Sequence, residues 1–108
     1  MNEERQIGRI VRAAARSSYG VAAVAGEGAL ERMAARLGFG RGGVRVRGGV
    51  TLSVHVNVHL AAGVPATQVA ANVGEAVRYR VQRETGRQID ELVVTVDGIS
   101  PLGAEPAP

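Results

Sequence analysis

His55 and His59 stand four residues apart with Asn57 between them, and neutral imidazole is the commonest protein ligand for divalent transition metals. Both sit in a run that alternates apolar and polar residues, so the spacing is that of a strand. Four residues of strand cover about 13 Å, whereas each ligand lies about 2 Å from its metal. The pair cannot share an ion within one chain. A metal would need a second copy, with His55 or His59 from each, and the simpler reading is a half-wet polar sheet face.

Ser17, Ser18, the histidines and Asp90 or Asp97 are the ingredients of a nucleophilic site, but no serine lies in a G-x-S-x-G elbow. The sequence holds no cysteine, which removes thiolate nucleophiles, disulfides and Cys-ligated zinc. All thirteen basic residues are arginine, so there is no lysine to serve as a base or Schiff-base former. An enzymatic role, a metal, a cofactor and a small-molecule substrate are therefore not expected.

Gly38, Gly40 and Gly43 match G-x-G-x-x-G by spacing, and Gly40 to Gly43 match the G-x-x-G with which some RNA-binding domains clamp backbone. A dinucleotide fingerprint follows a strand and opens a helix. Here the order is reversed, and a flexible glycine linker is the better reading.

The elements that must hold these residues centre on 50–86. Val50, Leu52, Val54, Val56, Val58 and Leu60 alternate with Thr51, Ser53, His55, Asn57 and His59, the period of a sheet with one dry face. A helix from about Ala66 to Glu84 follows Gly63-Val64-Pro65, with Val69, Ala70, Val73, Ala76, Val77 and Val81 as its dry stripe. Gly86 stands where a left-handed residue ends a helix.

Upstream, Ile7, Ile10, Val11, Ala14, Ala15 and Ser18 mark an amphipathic helix over 3–18, closed by Tyr19-Gly20. Arg5, Arg9, Arg12 and Arg16 form a ridge on its wet side. Val21 to Gly28 reads as a loop, and Ala29 to Leu37 as a short helix with Leu30, Met33 and Leu37 on one side. Val44 to Arg47 is a strand paired with the long one. A three-residue loop that includes Val50 would match Arg47 with Thr51, Val46 with Leu52 and Val44 with Val54, keeping each side chain on a consistent face. Ile89 to Asp97 is the last strand, with Leu92, Val94 and Val96 toward the core.

The expected fold is α+β: helix, β-hairpin, helix, strand, with a three-stranded mixed sheet and helices packed on one face. At 108 residues it forms a single domain over 1–99, with a variable glycine-rich segment over 21–43 and a disordered, proline-rich tail over 100–108. The uncovered face, carrying Thr51, Ser53, His55, Asn57, His59, Val93 and Thr95, is the candidate self-association surface.

Residues 1–50 hold nine arginines against four acids, and residues 51–108 four against six. Such asymmetry suits nucleic acid, an anionic membrane surface or head-to-tail self-association. Arg5, Arg9, Arg12, Arg16, Arg41, Arg45 and Arg47 are the candidate surface for an anionic partner. With Phe39, Tyr19 and Tyr79 the only aromatics, a stacking platform for single-stranded bases is hard to assemble. No apolar run approaches the roughly 18 residues of a membrane span, and no signal peptide opens the chain, so a cytoplasmic location is expected.

In their order, Gly8-x-Ile10, Tyr19-Gly20-Val21, VTLSVHVNVHLAAGVPATQVAANVGEAVRYRVQRETG and LVVTVDGI resemble the alkaline shock protein family of bacterial envelope stress proteins, over about Ile7 to Ile99. The resemblance implies a non-enzymatic, self-associating cytoplasmic protein. It would gather at the inner face of the membrane through a membrane-anchored partner and serve cell-envelope homeostasis as a scaffold. Gly74 replaces a common glutamine, the lead before the first helix is short, and the chain is basic where many members are acidic. The competing reading is a small basic RNA-binding protein that grips phosphates with the seven arginines named above.

Overall fold

The computed structural model describes residues 2–24 and 43–99. The elements are helix α1 (Asn2–Arg16), strands β1 (Val21–Val24), β2 (Val44–Arg47) and β3 (Ser53–Leu60), helix α2 (Ala66–Thr85) and strand β4 (Glu91–Ile99). The expected helix over 29–37, the glycine motif up to Gly42, Arg41 and the tail over 100–108 lie outside the described residues.

Strand β3 is the axis of the sheet. β4 runs parallel to it along one edge, pairing Ser53 with Glu91, Val54 with Leu92 and His55 with Val93. Both β2 and β1 run antiparallel to β3. They share its other edge end to end: β2 lies opposite Ser53 to Val56 and β1 opposite Val58 to Leu60. Among the described residues the sheet is therefore mixed and four-stranded, rather than three-stranded.

The added strand is β1, where a loop was expected. Val21 to Val24 is small and pairs with a partner more than thirty residues away, with a bulge between Val21 and Ala23 that breaks the alternation. Its entry is fixed by Gly20, at φ 90°, where a Cβ would come within 2.7 Å of Val69 and 2.9 Å of Val64. Only glycine fits both that backbone and that approach.

One further expectation changes in detail. Arg47 pairs with Ser53 rather than Thr51, and Val46 with Val54 rather than Leu52. The shift is two residues, so every side chain keeps its expected face while the connection lengthens to Gly48 through Leu52. Leu52, at the end of this connection, is held from the β4 side: its carbonyl accepts from the N–H groups of Asp90 (2.8 Å) and Glu91 (3.1 Å). Its own N–H donates to the Asp90 carboxylate at 2.6 Å. The turn is held from the other side by α1, where the Glu4 carboxylate accepts from the Gly48 N–H at 2.8 Å.

The core forms where the valine face of the sheet meets both helices. Ile7, Ile10, Val11, Ala14 and Ala15 of α1 and Val69, Val73, Val77 and Val81 of α2 are buried against Leu52, Val54, Val56 and Val58. Val46, Leu92, Val94 and Val96 complete it from the flanking strands. At about 2 kcal/mol for each fully buried valine, this face outweighs any local preference and decides the packing. α2 ends as its sequence requires, with Gly86 left-handed at φ 78° and its N–H donating to the Gln82 carbonyl.

Candidate functional site

The polar face follows from the same parity. Because Val54, Val56 and Val58 point inward, Ser53, His55, Asn57 and His59 point to the opposite side, and each is half-buried. Pairing carries that side across the sheet in rows. One row reads Arg47, Ser53, Glu91, the next Arg45, His55, Val93, and the third brings Thr95 beside Asn57. No described helix packs on this face.

Six of the seven residues expected on it are there. The seventh, Thr51, lies in the connection ahead of β3, because the longer turn removes it from the ladder. Val50 is likewise in that turn and fully exposed. Val93 is also exposed, an apolar residue in an otherwise polar field.

The serines and Asp90 take part in structural hydrogen bonds. Ser53 Oγ donates to Glu91 Oε1 at 2.8 Å, tying β3 to β4. Ser17 and Ser18 donate back to the carbonyls of Ala13 and Ala14 and close α1. Asp90 is committed to Leu52. Among the described residues, no three His, Asp or Glu side chains are grouped so as to hold a metal ion. At the centre of the face, Asn57 Oδ1 is shielded from solvent and has no hydrogen-bond partner among the described residues.

Among the described residues the candidate arginines do not converge. Arg5, Arg9, Arg12 and Arg16 lie on α1, whose opposite side is buried in the core, so the ridge faces away from the sheet. Arg45 and Arg47 point to the polar face, on the other side of the molecule. The six described arginines of the candidate anionic-partner surface are thus divided between two sides of the domain. Among the described residues Arg45 and Arg47 are exposed and have no ion-pair partner, and Glu91 on the far edge is exposed as well. Glu91 was not singled out from the sequence, since nothing local marks it. Only the β2–β3–β4 register puts it in line with Arg47.

This helix-backed sheet lies within a family-model match over residues 2–101, to the alkaline shock protein family of cell envelope-related function. The chain belongs to the alkaline shock protein family. Its function is accordingly cell envelope-related, and the resemblance noted over Ile7 to Ile99 falls within the matched residues. No curated protein matches the chain.

Among solved structures, this alkaline shock family chain is similar to a single-substitution variant of MamM CTD, with a TM-score of 0.58 and 18% identity, covering 93% of this chain and 100% of that one. The copper form of a second MamM CTD variant matches at TM-score 0.55 and 20% identity over 89% of this chain and 98% of that one. A nickel form of a third matches at 0.56 and 18%, over 89% and 99%. The likeness is one of fold. No helix among the described residues is long and apolar enough to cross a membrane.

Proposed function

We propose that this alkaline shock family protein is a non-catalytic scaffold of the cell envelope stress response, which self-associates at the cytoplasmic face of the membrane and is held there by a membrane-anchored protein. The observation that carries the reading is the division of one sheet into a valine face closed by two helices and a polar face on which no described helix packs. A shielded, unpaired acceptor such as Asn57 Oδ1 costs about 1–3 kcal/mol. A partner that brings a donor to this face recovers that cost. Family membership supports the envelope role, and the use of Ser17, Ser18, Ser53 and Asp90 in structural hydrogen bonds accords with a non-catalytic one.

The test is size-exclusion chromatography with light scattering and absorbance at 260 nm, at low and high salt. The protein has no tryptophan and two tyrosines, so bound nucleic acid stands out. An assembly of two or more copies free of nucleic acid supports the scaffold. A monomer that carries nucleic acid and sheds it as salt rises overturns it in favour of RNA binding.

A further inference from the structure

We propose that copies of this chain join head to tail by continuing the sheet, the β4 edge of one copy pairing antiparallel with the β2–β1 edge of the next. The inference rests on the self-association reading and names the surface that performs it.

Both edges offer backbone. Among the described residues, β4 is hydrogen-bonded only to β3, and so are β2 and β1. β4 is nine residues long and contains no lysine, arginine or proline; its charged residues are Glu91 and Asp97, and the irregularity in its ladder falls at the far end, past Val96. Along the opposite edge β2 pairs with Ser53 to Val56 and β1 with Val58 to Leu60, so the four residues of β2 face the regular, Glu91 end of β4 in the next copy. Direction matches too. β2 and β1 are antiparallel to β3 and β4 is parallel to it, so a sheet that simply continues sets β4 antiparallel to the next copy's β2.

The side chains select this pairing over others. Arg47, Ser53 and Glu91 occupy one row and one face, with Arg47 at one edge and Glu91 at the other. Within a copy they are two strand spacings apart, roughly 9.6 Å, and Ser53 intervenes. Across the joint, an unshifted row places Glu91 directly beside Arg47 of the next copy, at cross-strand distance. In the adjoining row Arg45 meets Val93, and its aliphatic stem covers the exposed valine. The basic edge and the acidic edge are the local expression of the charge asymmetry between the two halves of the chain. A β4–β4 pairing of two copies makes neither contact.

The joint uses different surfaces on its two sides, so it does not close into a dimer by symmetry. Strand twist rotates each copy relative to the last. The product is an open, twisted row of copies whose length grows with concentration.

The experiment compares sedimentation velocity of the full chain and of Arg47→Glu and Glu91→Arg, each alone, mixed in equal amounts, and combined in one chain. Both residues are exposed, and circular dichroism verifies that each variant keeps the fold. The expected result is that each single variant associates at least about tenfold more weakly, while the mixture and the double variant recover wild-type assembly. Assembly unaffected by Arg47→Glu, or a species that stops at two copies, overturns the edge pairing while leaving the scaffold standing. A wild type that stays monomeric at every concentration overturns both.

Discussion

The backbone of Leu52 is clasped by Asp90: its N–H donates to the Asp90 carboxylate, and its carbonyl accepts from the Asp90 N–H. The two residues lie just before β3 and β4, so the clasp starts the parallel ladder and sets the register of both strands. Parallel pairing cannot be started by a hairpin, and here a single side chain takes that role.

Asp90→Ala is expected to lower stability by about 1.5–3 kcal/mol, the range for a charge-assisted hydrogen bond whose loss leaves a shielded donor unpaired. Leu52 is fully buried, so water does not readily replace the carboxylate. Urea unfolding checks it: a midpoint unchanged from wild type contradicts the clasp.

Two left-handed glycines separate backbone strain from crowding. Gly86 has open space where a Cβ would stand, so Gly86→Ala carries only the conformational penalty, about 1 kcal/mol. Gly20→Ala adds overlap with Val64 and Val69 and is expected to cost roughly 3 kcal/mol or more. Thermal unfolding of the two variants should rank them in that order, and equal losses would show that the α1–β1 joint yields.

Gly74 lies within α2, where a Cβ would meet Leu92 at 3.9 Å, an ordinary contact. Gly74→Ala should therefore stabilise the protein by about 1 kcal/mol through helix propensity alone. A fall in the melting temperature would mean that the α2–β4 packing is tighter than it stands here.

The His55 and His59 pair makes a separate prediction. With no metal-binding group of three among the described residues, neither a chelator nor added nickel should shift the melting temperature of the monomer. A rise on adding nickel that His55→Ala abolishes would indicate an ion held between copies.

Much of this architecture is readable from the residues. The alternation of valines with polar residues in β3 and the four-valine stripe of α2 specify which faces are dry, because burial is large and has the period of each element. Parity therefore survived in β2 although its register did not. A two-residue slip leaves every face unchanged, so the hydrophobic pattern is blind to it, and the turn that goes with the observed register is held by a distant partner, Glu4 on Gly48. β1 escaped for a related reason, since four small residues carry little pattern and the strand exists through its pairing with Val58 to Leu60. The candidate surface divides the same way. Which side chains face outward was a matter of period, but the alignment of Arg47 with Glu91 across three strands, and the parting of Arg45 and Arg47 from the α1 ridge, arose only when long-range pairing stacked the elements.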